Sequence, residues 1–241
     1  MRKILVFLFV AFTSMSFAQL HFDGAIPDTI KDGTFTAKYN NETMVGEFKD
    51  YLKTGNWYMY WPSGLVHVFS QYEKDKRVGF FFTTDKRGRV KLQAHYKNGV
   101  LDGEKIKFDY GGRPLLKEHY KNGVLDGVRI VYYQGSGKKQ EEAEYKNGKK
   151  NGVTKWYNSK GQMFATYEYK DDLFDGPQRY YYPNGKIKTE KMFVNNIAQG
   201  PYKEYYENGQ VKVEGMYRND KKAGRWVEYD ENGRTISAKR Y

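Results

Sequence analysis

The sequence predicts an all-β chain: an elongated array of antiparallel β-hairpin repeats, about eight units of 24 residues, forming a single twisted sheet. Three observations carry this. Phe48, Tyr72, Tyr96, Tyr120, Tyr145, Tyr169, Phe193, Tyr217 and Tyr241 follow one another at 24 residues, with a single step of 25. A glycine stands seven residues after each of the first eight, from Gly55 to Gly224, and another follows nine residues later, or ten in the one long unit. Between these marks, aromatic and β-branched residues alternate with polar ones, as strands with one buried face require. A fixed period of about 20–50 residues is the signature of a repeat array, in which each unit packs mainly on its neighbours.

Four segments are expected: a signal peptide at 1–18, a linker at 19–32, a capping hairpin at 33–54 and the repeat array at 55–241. Arg2 and Lys3 precede the apolar run 4–12, and Ser16-Phe17-Ala18 has the small-x-small form of a cleavage site. Nine apolar residues are too few to span a bilayer, which needs about 20. The expectation is therefore an exported chain, periplasmic or secreted, and not transmembrane. The segment 19–32 shows no periodicity. From Gly33 the alternation of Thr34–Tyr39, the turn at Asn40-Asn41 and the run Val45–Phe48 read as a hairpin that caps the array.

Composition sets further bounds. A mean hydropathy of −0.87 leans toward disorder, but 23 Tyr and 15 Phe supply large apolar faces on stiff side chains suited to strands. With no cysteine there is no disulfide frame, lipid-modified cysteine or thiolate metal site. The net charge of +12 is interspersed along the repeats, which reads as a solvated face and not as a polyanion-binding block. Together with export, this argues against nucleic acid as a partner.

Within a unit the order is strand, turn, strand, longer turn. In the sixth unit Pro183 presets the φ of a turn's first central position, Asn184 suits the second, and Gly185 supplies positive φ to close a three-residue loop. A two-residue Asn-Gly turn is the competing assignment. The three-residue loop puts Tyr181 opposite Ile187, and on that register Tyr181, Ile187 and Phe193 share an inward face. The row equivalent to Tyr181 is Tyr60, Thr84, Phe108, Tyr132, Tyr157, Tyr181, Tyr205 and Tyr229, nearly all aromatic. The second, longer turn spans 96–103 and recurs at 120–127 and 145–152. Its Gly99, Gly123 and Gly148 are matched later by Asp172, Asn196 and Asp220, which tolerate a left-handed backbone. Two strands per unit at about 4.8 Å extend eight units to about 75–80 Å.

Few residues suggest chemistry. His95 and His119 are equivalents one unit apart, about 10 Å, too wide to share a zinc ion. Gly135-Ser136-Gly137-Lys138 lacks the upstream glycine of a phosphate loop, since position 132 is tyrosine. Glu141, Glu142 and Glu144 have no partner that would divide acid and base roles. No enzyme activity, cofactor or metal is expected. In the fourth unit Lys139 and Glu141 fall on the face that elsewhere carries valine or leucine, and Pro114 holds the equivalent place one unit earlier. This stretch reads as locally solvated or as a bend between two sub-arrays.

The remaining feature is a second set of aromatics, on the parity opposite to the Tyr181 row: Trp57, Trp61, Trp156, Tyr180, Tyr182, Tyr206 and Trp226, with Phe81, Tyr133 and Tyr202 beside them. A large exposed aromatic face marks an interaction site unless twist or self-association buries it. These residues are the candidate partner-binding face. Because the aromatic row runs to Tyr241, the last strand is expected to offer an open edge for self-association.

Tyr-Lys-Asn-Gly-x-x-x-Gly, an aromatic strand, Asn-Gly, then x-x-Lys-x-Glu-x-x-Tyr, best seen at 145–169 and 193–217, resembles the MORN-variant repeat of bacterial YwqK-type antitoxin proteins. The resemblance covers about 48–241. It implies a MORN-like single sheet, no catalysis, and a protein partner, a toxin being one kind, in an antitoxin-like or immunity role. The alternative is an envelope glycan- or lipid-binding repeat protein.

Overall fold

The structure is a computed structural model and describes residues 30–241. The expected signal peptide and nearly all of the 19–32 segment lie outside the described residues. The described residues form 20 antiparallel strands in one sheet, with no helix among them. Neighbouring strands pair in chain order from Gly33–Tyr39 to Thr235–Arg240, with the short strands Val124–Leu125 and Lys149–Lys150 sharing a partner with the strand that follows each, so the sheet is an up-and-down meander without crossovers. Gly33–Tyr39 and Glu42–Lys49 make the first hairpin, joined by Asn40 and Asn41 with φ of 49° and 65°.

Two kinds of turn lie on the two long edges. On one edge Pro183-Asn184-Gly185 makes the three-residue loop expected of it: Gly185 N–H donates to Tyr182 O, Tyr182 N–H donates to Lys186 O (both 2.9 Å), and Tyr181 faces Ile187. On the other edge the turns are shorter than their sequence span suggests. Asn98 and Gly99 alone reverse the chain, with φ of 51° and 85°, and Lys97 pairs directly with Val100. Positive φ at both central residues defines the type I′ turn, whose twist matches that of the flanking strands. The residues read as the rest of a long turn are strand, bulged around Gly103.

These tight turns tie each unit to the one before it. The second turn residue donates its N–H back to the preceding hairpin: Asp75 to Lys53 O, Gly99 to Arg77 O, Gly123 to Leu101 O, and so on to Asp220 to Ala198 O, at 2.7–3.1 Å. Where that residue is Asp or Asn, its side chain also accepts from the same strand, as Asp172 does from Lys150 N–H (2.7 Å) and Asn196 from Phe174 N–H (2.6 Å).

The periodic glycines and aromatics meet across strands. Gly55 faces Tyr72, Gly79 faces Tyr96, and the series continues through Gly176 opposite Phe193 to Gly200 opposite Tyr217. A glycine opposite each ring leaves room for it to lie along the sheet, and the bulge there needs a backbone such as that of Gly176 (φ 121°), which L side chains rarely adopt.

One register feature reverses an expected face. Tyr180 faces Thr189 and Tyr181 faces Ile187, so Lys188 is an extra residue, and the same bulge recurs in the other units. A one-residue shift flips every side chain beyond it. The Tyr181 row therefore lies on the face opposite the Phe48–Tyr241 row, where Tyr181 OH meets Thr166 Oγ1 at 3.0 Å and Tyr229 OH donates to Glu214 Oε1 at 2.8 Å. The face carrying Phe48, Tyr72 and their equivalents is termed the spine face, and the other the reverse face.

Candidate interaction surfaces

The same bulge redistributes the seven aromatics expected to share a partner-binding face. Trp57, fully buried, lies on the spine face among Phe35, Phe48 and Tyr72, at ring-centroid distances of 5.2–6.0 Å. Trp226, 6 % exposed, does the same with Tyr202, Tyr217 and Tyr241. Trp156 packs near Tyr167, and Tyr180 shares a hydroxyl–hydroxyl bond of 2.8 Å with Tyr167, again on the spine face. Trp61, Tyr182 and Tyr206 belong to the loop edge. Tyr182 OH donates to Tyr205 O and Tyr206 OH to Tyr229 O (2.7 and 2.8 Å), each stapling a loop to the next unit. Trp61 stacks on His67 at 3.6 Å. The seven do not form one surface.

Trp57 and Trp226 repeat one device at opposite ends of the array. A Cβ built on Gly46 would lie 2.2 Å from Trp57 Cδ2, and one on Gly215 would lie 2.2 Å from Trp226 Cδ2. Each indole therefore lies flat over a glycine eleven residues before it. The ammonium of Lys53 approaches the first ring at 5.6 Å and that of Lys222 the second at 4.1 Å. The motif Lys-x-Gly-x-Trp with a glycine at Trp minus eleven is visible in the sequence at both places.

Between these ends the spine face changes character. Its N-terminal part holds a continuous core of Phe35, Met44, Phe48, Trp57, Met59, Val68, Tyr72, Phe81 and Ala94. In the middle units a charged ladder replaces it. Glu118 accepts from Lys105 Nζ (3.1 Å) and Tyr120 OH (3.1 Å) and lies 3.4 Å from Arg129 Nε. Arg129 Nη1 reaches Glu141 at 3.6 Å, and Glu141 accepts from Lys150 Nζ at 2.7 Å. Both carboxylates are buried, at 8 % exposure. Burial, with Glu118 beside it, raises the Tyr120 phenol, and burial likewise raises Tyr145. Glu141 lies on the spine face as expected. Lys139 does not: it bonds Glu142, the partner of Lys155 on the reverse face, because the loop-side bulge intervenes. Gly135 to Lys138 form a hairpin loop closed by Tyr133 N–H to Lys138 O (2.8 Å).

The reverse face is also uneven. Over its first two full units Tyr58 stacks on Tyr60 (5.8 Å) and meets Phe69 (5.2 Å); Phe69 stacks on Phe82 (5.3 Å), and Phe82 meets Phe80 (5.8 Å). These five rings are half-buried, and no second layer of the described residues covers them. The aromatic Tyr181-row position contributes only Tyr60 to this cluster; Phe69, Phe80 and Phe82 are found by parity once the bulge is known. Farther along, the reverse face carries pairs such as Lys155 with Glu142 (3.0 Å) and Arg179 with Glu190.

No group of three or more His, Asp or Glu among the described residues could hold a metal ion. His67 bonds Glu42 (2.8 Å), and His119 Nδ1 meets Asp126 O (2.8 Å).

Comparison with known families gives one match. The model described as MORN repeat variant matches residues 174–195 and 198–219, two consecutive units of the array. The other units share their turns, bulges and strand register, which supports reading the chain as a MORN-variant repeat protein. No curated protein matches the chain.

Proposed function

We propose that this MORN-variant repeat protein is an exported, non-catalytic module that binds a protein partner through the aromatic cluster on the reverse face of its first two units. The observation that carries the reading is the row Tyr58, Tyr60, Phe69, Phe80 and Phe82, which no second layer of the described residues covers. Elsewhere Trp57 and Trp226 are buried over glycine and Tyr133, Tyr182 and Tyr206 donate to carbonyls, while Tyr110 and Phe164 are exposed away from this cluster. A contiguous apolar patch without such cover marks an interaction site, and stiff aromatics are the anchors such sites favour. The absence of catalysis is proposed because the ladder acids are already committed to cations and each unit offers variations of the same groups. An antitoxin-like or immunity role is the finer form of this reading, and it rests on the resemblance to the YwqK-type repeats.

The test uses Tyr58→Ser and Phe82→Ser, half-buried positions outside the Trp57 core. With far-UV and near-UV dichroism unchanged, both variants are expected to lose capture of the partner taken from envelope extract by the parent protein. Undiminished capture by folded variants would sink the reading. Sedimentation with purified cell wall, lost in the same variants, would instead support the glycan-binding alternative, which half-buried rings on an open face also suit.

A further inference from the structure

The fold gathers on one edge the positive charge that the sequence spreads along the repeats. The hairpin loops of the second to sixth units, with the two strand residues that follow each, are 85–91, 109–115, 133–140, 158–164 and 182–188. They carry ten Lys and Arg against two carboxylates, Asp85 and Asp109. Asp85 is held by Arg89 (2.7 Å), and Asp109 accepts from the N–H groups of Gly111 and Arg113 in its own loop (2.8 and 2.9 Å). Lys139 pairs with Glu142, and the other eight cations meet no carboxylate among the described residues. On the adjoining strands Glu118, Glu141, Glu142 and Glu190 are already paired with Lys105, Lys150, Lys155 and Arg179. The loops on either side differ: 61–67 has no Lys, Arg, Asp or Glu, 206–212 sets Glu207 against Lys212, and 230–236 sets Asp230 and Glu231 against Arg234. On the tight-turn edge Asp102, Asp126, Asp171, Asp172 and Asp175 offset the lysines.

One cation per unit stands beside the loop glycine: Arg89, Arg113, Lys138, Lys160 and Lys186. Two strands per unit space this row at about 10 Å, over about 40 Å in all. Three of its members are fixed by the next loop, since Arg89 Nη1 donates to Tyr110 O (3.1 Å), Lys138 Nζ to Lys160 O (3.1 Å) and Lys186 Nζ to Asn208 O (2.9 Å). Charge held in place in this way loses little further freedom when a ligand binds. We infer that this edge binds an anionic polysaccharide laid along the five loops. Strand rotation of about 20–25° carries the row through roughly half a revolution, so a planar bilayer or a straight duplex meets only part of it, whereas a flexible chain can follow it. Exposed rings within these segments stand at Tyr110 (66 %) and Phe164 (40 %), two units apart and too sparse to stack successive nucleobases. They do suit the apolar face of an occasional sugar ring, and Lys91 Nζ lies 3.8 Å from the Tyr110 ring centroid, so a cation flanks that platform. Exposed Gln134, Ser159 and Asn184 stand between the cations as hydrogen-bonding partners for hydroxyl groups, which an acidic peptide would not use.

The probe is a fluorescently labelled alginate oligosaccharide, a linear chain of uronic acids, read by anisotropy beside neutral dextran. Alginate is expected to bind and dextran is not. Binding should weaken about tenfold or more between low salt and roughly 0.5 M, where exposed charges are screened beyond a few ångströms. Arg87→Gln with Arg113→Gln, and separately Lys160→Gln with Lys188→Gln, are each expected to weaken it about threefold or more, and the four together about tenfold or more, with dichroism unchanged. Lys97→Gln with Lys121→Gln removes the same charge from the opposite edge as either pair and should leave binding unchanged. Tyr58→Ser should also leave it unchanged, which separates this edge from the aromatic cluster. Absent alginate binding, equal binding by the fourfold variant, or an equal loss from the opposite edge overturns the inference. So does tighter binding of poly-glutamate, single-stranded DNA or phosphatidylglycerol vesicles through the same four residues, since that outcome assigns the edge to another class of partner.

Discussion

Replacing Gly215 with alanine adds one methyl group in the place that Trp226 occupies. Gly215 has no left-handed φ, so the substitution is free of backbone strain and its effect is steric. The new Cβ would stand 2.2, 2.4 and 2.6 Å from Cδ2, Cε2 and Cγ of the indole, against about 3.5–4.0 Å for carbon atoms in contact. The ring must retreat by more than about 1 Å. That breaks its stack on Tyr202 (5.3 Å, 27°) and its edge contact with Tyr217 (5.3 Å, 89°). Overpacking costs about 1–3 kcal/mol and each of the two aromatic pairs contributes about 0.5–1.5 kcal/mol, so a total of about 2–6 kcal/mol is expected. Urea unfolding gives the magnitude, and hydrogen exchange should place the lost protection in the last two units, because repeat arrays respond locally. In a Trp226→Leu background the same alanine should cost less than about 0.5 kcal/mol, a coupling that isolates the contact. A change below about 0.5 kcal/mol in the parent, with the tryptophan near-UV signal intact, would refute the flat-indole packing.

Three further outcomes follow from the charged and hydroxyl groups. Arg129→Ala leaves Glu118 and Glu141 buried without their shared cation and should destabilise by about 2–4 kcal/mol, whereas Arg179→Ala, at a more exposed pair, should cost at most about 1 kcal/mol by urea titration. Burial pushes Tyr169 and Tyr202 up to about 12. A phenol whose folded pKa is raised stabilises the fold fully below its unfolded value near 10, and that contribution is lost as pH rises toward 12. Absorbance titration should therefore show tyrosines ionising late, together with unfolding. Tyr206→Phe removes the hydroxyl donated to Tyr229 O and should cost about 1 kcal/mol, with faster exchange confined to residues near Tyr229.

The repeat, the strand count per unit and the loop at Pro183-Asn184-Gly185 are legible because turn residues have positional chemistry. Tyr181 does face Ile187. Which face it occupies is not legible, since Lys188 bulges without any glycine or proline to mark it, and the equivalent bulges at His67 and Ile236 put Trp57 and Trp226 on the spine face instead of an outer surface. The tight turns had a visible signal: Asn-Gly is the strongest short-range mark of a type I′ hairpin, at Asn98-Gly99, Asn122-Gly123 and Asn147-Gly148. The Trp-over-Gly plugs could have been found by noticing that Gly46 and Gly215 break the 24-residue glycine pattern and each precedes a tryptophan by eleven. The ladder was half visible. Glu141 stood out at an aliphatic position, but its partners Arg129 and Lys150 come from neighbouring strands and are located only by register.

The turn-to-strand bonds also give the molecule a building order. From Asp75 to Asp220 each tight turn donates its N–H to a strand about 22 residues earlier and not to one made later. A chain growing from its N-terminus therefore presents every new turn with an acceptor that already exists. Contacts of such short reach favour rapid closure, despite the all-β content that usually slows folding. A pause in synthesis would leave a shorter ordered array, with at most its newest hairpin open at the growing edge.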